Sequence, residues 1–83
     1  MNDARSPAGN DARSLVRDSL EHPALVDRIG DDDDFAAAGV GSGELIRLAL
    51  NLEDRLGRPL DDEELLGLTS VRAVAGLIGA GVR

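Results

Sequence analysis

Eighty-three residues hold one domain with one compact core, and folding at this size buries about 60–65% of the surface an unfolded chain exposes. The chain has no cysteine and no run of about 18 apolar residues, which excludes disulfides, thiolate metal sites and a helical membrane span. A net charge of −7, the absence of lysine and a single aromatic, Phe35, argue against nucleic acid and favour basic protein partners reached by electrostatic steering.

The N-terminal stretch MNDARSPAGN lacks the apolar centre of a signal peptide, so a cytoplasmic, monomeric protein with no membrane role is expected, its residues 1–8 frayed. From about Gly9 to Glu21, Ala12, Leu15, Val16 and Leu20 recur at three-to-four spacing and predict an amphipathic helix. Pro23 interrupts it and pushes His22 toward extended geometry. The segment to Val40 carries Gly30, the run Asp31–Asp34 and Gly39, and reads as a long loop anchored by Leu25, Val26, Ile29 and Phe35. Loops of that length in compact domains are usually functional.

The clearest helix runs from Ser42 to Leu56, with Leu45, Ile46, Leu48, Ala49, Leu52 and Leu56 in a wide apolar stripe. Glu44, Arg47, Asn51, Asp54 and Arg55 take the other side. Gly57 and Pro59 supply a stop: glycine in the left-handed position past the end, proline shortly after. Asp61 and Glu64 have capping-box spacing and open a short helix through Leu66. Ser70 then caps a last helix carrying Val71, Val74, Ala75, Ile78 and Val82. The expectation is an all-α bundle of four helices, with a long first loop and a short third helix.

Several chemistries fail on named residues. An EF-hand loop starting at Asp31 has Phe35, Ala36 and Ser42 where an oxygen ligand, glycine and glutamate belong. Starting at Asp33 puts Phe35 at a ligand position, so the acidic run reads as a solvated turn and no metal is expected. Gly39-Val-Gly41-Ser-Gly43 has Glu44 where a dinucleotide loop needs its third glycine, and no lysine serves a Walker loop. A nucleophile elbow needs glycine at Val40 and Glu44. His22, the only histidine, has no cysteine or lysine beside which to act, so no catalytic set is expected; it reads as a helix-end residue favoured by the dipole.

Ser42 remains. A serine opening a helix ordinarily caps it, for about 1 kcal/mol. Here it follows a long anchored loop, and Gly41 and Gly43 leave its hydroxyl open to a partner. A phosphate attached there would meet the positive end of the helix dipole.

The stretch DDDDFAAAGVGSGELIRLALNLEDRLGRPL resembles the central part of acyl and peptidyl carrier proteins. In that family an acidic loop with an aromatic and a glycine precedes the serine that bears phosphopantetheine. Phe35, Gly39, Ser42, Leu52-Glu53-Asp54, Gly57 and Thr69-Ser70-Val71 fall on family positions, and the resemblance spans essentially the whole chain. It implies covalent 4'-phosphopantetheine on Ser42, delivered from coenzyme A by a phosphopantetheinyl transferase, and a protein that catalyses nothing itself. An adenylating enzyme or acyltransferase would load the arm, and downstream synthase or tailoring enzymes would receive the acyl or aminoacyl group. The resemblance further implies docking through the loop and second helix, with Glu44, Arg47, Asp54 and Arg55 as partner-selecting charges and Val40 and Leu45 flanking the arm. Leu48, Leu52 and Val74 read first as core and only second as shelter for an acyl chain.

Three departures stand out. Gly41 and Gly43 replace the aspartate and leucine that usually flank the serine, and Arg47 sits where fatty-acid carriers tend to be acidic. These point away from a housekeeping fatty-acid carrier and toward one with dedicated partners, of polyketide or nonribosomal peptide type. A chain that begins with methionine and ends soon after the last helix leads us to expect a free-standing carrier. The rival expectation is an acidic helical docking module, or a carrier that is never modified, in which Ser42 only caps.

Overall fold

The computed structural model describes residues 7–81, and every regular element among them is helical. Helix α1 spans Pro7–Ser19, α2 Ser42–Leu56, α3 Asp62–Leu66 and α4 Val71–Gly81, with a 3-10 turn at Pro23–Arg28 between α1 and α2. Helix α1 packs against both α2 and α4, and α2 against α4. Ala12, Val16, Leu48, Leu52, Val71, Val74 and Ile78 meet in one core, which also takes Val26, Ile29 and Phe35 from the loop. Leu48, Leu52 and Val74 are therefore core. The expected frayed segment lies outside the described residues up to position 6, but Pro7 and Ala8 already belong to α1. Pro7 suits a first helical position, where its missing N–H costs nothing. Val82 lies outside the described residues.

The expected loop is partly helical. Pro23 opens six residues of 3-10 helix that bury Val26, and the Arg13 side chain caps their end. Its Nη1 donates to the Val26 and Ile29 carbonyls at 3.2 and 3.0 Å, and its Nη2 to the Asp31 carboxylate. His22 stands before this turn, not in the last turn of α1, and its side chain makes no cap.

The boundaries of α2, α3 and α4 follow their local signals. Gly57 adopts φ 73°, and its N–H donates to the Glu53 carbonyl at 2.8 Å, ending α2. Glu53 also accepts the Leu60 N–H through its carboxylate at 2.8 Å, holding the Arg58–Leu60 link against α2. Asp61 accepts the Glu64 N–H while Glu64 accepts the Asp61 N–H, a reciprocal cap on a helix too short to nucleate unaided. Ser70 Oγ accepts the Ala73 N–H at 3.1 Å and starts α4. Between α1 and α2, the fully buried Ser19 hydroxyl donates to the Leu15 carbonyl and accepts from Asn51 Nδ2, so this polar pair is satisfied within the core.

The α3 cap titrates. Two bonds from Arg58, then the Asp61 N–H, hold the Glu64 carboxyl down to about 2 from an ordinary 4.5. A depressed carboxylate contributes stability above its unfolded value and loses it as pH falls through its folded one. The melting temperature should therefore fall between pH 4.5 and about 2, and Glu64→Gln should flatten part of that fall. Thermal melts of both proteins across this window check it; parallel curves would refute it.

Candidate functional site

The loop before α2 is built from backbone bonds to acidic side chains. Asp33 accepts the Gly30 N–H at 2.7 Å and Asp34 the Ala37 N–H at 3.0 Å, each closing a local turn. Asp31 meets Arg13 of α1, and Asp32 pairs with Arg72 of α4. The Arg72 bond holds the Asp32 carboxyl below its usual range. No group of three or more metal-ligating side chains forms among the described residues. Each aspartate of this solvent-exposed turn thus has a structural partner, Asp33 and Asp34 within the turn and Asp31 and Asp32 on the flanking helices.

Phe35 anchors the loop. Its ring is buried, its N–H donates to the Thr69 carbonyl at 2.8 Å, and its carbonyl accepts the Val40 N–H at 2.9 Å. The Arg72 N–H donates to the Asp31 carbonyl at 2.9 Å, so the loop is tied to the start of α4 at two points. Gly39 then turns the chain at φ 101°, a conformation that costs glycine little and other residues much. Ser42 follows three residues later.

Ser42 is the first residue of α2, and Gly41, extended at φ −79° and ψ 164°, is the residue that caps it. The serine therefore stands one position inside the expected cap. Its side chain is exposed, and no hydrogen bond to its Oγ occurs among the described residues. A Cβ added at Gly43 would meet nothing within 4 Å, and one at Gly41 would meet only Glu44 Oε1 at 3.5 Å. Neither glycine is required by its backbone conformation; their effect is to clear the space around the hydroxyl.

The other expected site residues divide. Val40 is buried, 6% exposed, and acts as an anchor of the loop rather than a surface flank. Glu44 is turned inward: Oε1 accepts the Gly41 N–H at 2.9 Å and Oε2 the Glu21 N–H at 2.8 Å. These two bonds, the Gly41 bond first, lower its carboxyl below the ordinary range. Arg55 pairs with Asp11 of α1. Arg47 and Asp54 are exposed and form no ion pair among the described residues. Leu45 is half-buried and lines a groove of about 200 Å³ with Ile46, Ala49, Leu65 and Leu68.

This groove includes residues that the sequence pattern placed elsewhere. Ile46, expected on the core stripe, is 62% exposed, and Leu50 is 59% exposed one turn further on. Leu65 and Leu66 of α3 are 43% and 80% exposed. Together they give the α2–α3 side an apolar surface beside Arg47. The signal was present in excess: α2 has more apolar positions than one buried face can use, and α3 buries none of its five residues.

An exposed serine hydroxyl with no hydrogen-bonded base is a poor nucleophile by itself and a good acceptor for an enzyme that brings the base. The first turn of α2 adds N–H groups and the positive dipole end beside it, suited to a phosphate ester. No curated protein and no solved structure gives a significant match to the chain. A family model described as a phosphopantetheine attachment site matches residues 11–78.

Proposed function

The chain belongs to the phosphopantetheine-attachment family, whose members carry covalent 4'-phosphopantetheine, and on that premise we propose that Ser42 is the attachment point. The observation that carries this is the exposed Ser42 Oγ at the first position of α2, unbonded among the described residues and cleared on both sides by glycine. A phosphopantetheinyl transferase supplies the base that takes the Ser42 hydroxyl proton; Oγ then bonds to the pantetheine-bearing phosphorus of coenzyme A, the pyrophosphate bond breaks, and adenosine 3',5'-bisphosphate leaves. The bound arm supplies the thiol that carries an acyl or aminoacyl group as a thioester, chemistry for which a cysteine-free chain has no group of its own. Ser42 holds the ester oxygen at the positive end of α2, where an anion gains about 0.3–1 kcal/mol.

The protein performs no catalysis on this reading; it presents the loaded group to successive enzymes at high effective concentration. Arg47 and Asp54 offer charges to those partners, and Ile46, Leu50, Leu65 and Leu66 offer apolar contact. Leu45 lines the groove at the foot of the Ser42 turn. Val40 and Arg55 serve the same surface indirectly, by anchoring the loop and by tying α2 to α1. The loading partner is an adenylating enzyme or acyltransferase, and the pathway is of polyketide or nonribosomal peptide type. Gly41, Gly43 and Arg47, which depart from the usual aspartate, leucine and acidic surface, support dedicated partners over a housekeeping fatty-acid role.

Incubation with coenzyme A and a promiscuous transferase, followed by intact-mass measurement, tests the proposal. One phosphopantetheine adduct is expected. A protein left unmodified by several transferases would overturn it.

A further inference from the structure

Glu44 does more than a helix cap requires. In a capping box the glutamate accepts one bond, from the N–H of the cap residue, and here the Gly41 N–H donates it to Glu44 Oε1 at 2.9 Å. The second oxygen reaches out of the helix to the Glu21 N–H at 2.8 Å, in the link between α1 and the 3-10 turn. One side chain thus ties the residue before Ser42 to a segment on the far side of the long loop.

That tie falls where other restraints are few. Gly39, Gly41 and Gly43 bring no side chains to pack, and space stands open beside Gly43. Glycine also has the most conformational freedom to lose on ordering. Upstream, the nearest fixed point is the Val40 N–H bond to Phe35. We propose that Glu44 is a positioning residue for Ser42: its carboxylate clamps the Gly41 backbone against the Glu21 backbone and so sets the direction in which Oγ faces the transferase. The proposal rests on Ser42 being the attachment point. His22, next to Glu21, and Arg47, one turn along α2, both favour the charged carboxylate that accepts the two bonds.

The test compares wild type, Glu44→Gln and Glu44→Ala by amide hydrogen exchange and by transferase kinetics, with melting curves to show that each is folded. Glu44→Ala should speed exchange at both Gly41 and Glu21 about tenfold, the equivalent of losing a hydrogen bond to a charged acceptor. Its transferase kcat/KM for the carrier should fall by about the same factor, with KM for coenzyme A unchanged. Glu44→Gln keeps one acceptor oxygen and should recover part of both losses. Unchanged exchange at Glu21 would overturn the clamp. Altered exchange with an unchanged transferase rate would overturn the positioning role. Equal kinetic losses in the two variants, shrinking with added salt, would instead make Glu44 a docking charge and overturn the proposal. If no transferase modifies the wild type, the attachment proposal falls, while the exchange comparison still decides the clamp.

Discussion

Ser42→Ala is expected to abolish the phosphopantetheine adduct and leave the fold's stability unchanged within about 0.5 kcal/mol. The pairing of these outcomes gives the substitution its value. Had the hydroxyl capped α2, its loss would cost about 1 kcal/mol. The structure puts Gly41 at the cap and Ser42 one residue inside, with no hydrogen bond among the described residues for alanine to remove. Intact mass reads the first outcome and denaturant unfolding the second. An adduct that persists would move the attachment point to another hydroxyl. Ser19, buried and doubly bonded, and Ser70, engaged as a cap, are poor substitutes. A loss near 1 kcal/mol would restore the capping role.

Phe35→Ala should be the most damaging single change in the loop, at about 3–5 kcal/mol. A domain of this size has a total stability of roughly 5–10 kcal/mol, so such a loss leaves it barely folded. The ring is 1% exposed, and its backbone joins Thr69 on one side to Val40 on the other. Removing it opens a cavity and loosens both ties, so the damage reaches the turn that presents Ser42. A urea midpoint shift of less than about 1 kcal/mol equivalent would show that the loop holds without its anchor. Phe35→Leu, which fills most of the volume, should recover most of the loss.

Where structure depends on nearby residues, the sequence was readable. Gly57, the Asp61–Glu64 box and Ser70 all mark helix ends within a few residues, and all three act where their spacing placed them. Ser42 opens α2 where expected, and only the cap moves, to Gly41, because serine and glycine are both acceptable caps and only the backbone decides between them. The 3-10 turn leaves no periodic signal in the sequence, because six residues are too few to show a period and Pro23 suits a helix start as well as a break. The polarity of Glu44 and its position on α2 suggest a free surface charge, whereas its second partner, Glu21, is supplied by tertiary folding. Ile46 likewise depended on where α1 and α4 contact α2, which a wide apolar stripe leaves open. The phosphopantetheine family was legible as a resemblance, carried by Phe35, Gly39, Ser42, Leu52-Glu53-Asp54, Gly57 and Thr69-Ser70-Val71 taken together.

The aspartate run has a consequence for how the protein responds to ionic strength. Its pairs with Arg13 and Arg72 lie at the surface, where each contributes little and salt weakens it further. Buried Phe35 and the backbone bonds to Thr69 and Phe35 are far less sensitive to screening. Added salt is therefore expected to slow encounter with any basic partner of this acidic molecule while leaving the Phe35 anchor of the loop in place. Encounter and presentation, fused in most measurements of a docking surface, become separable here by a salt titration.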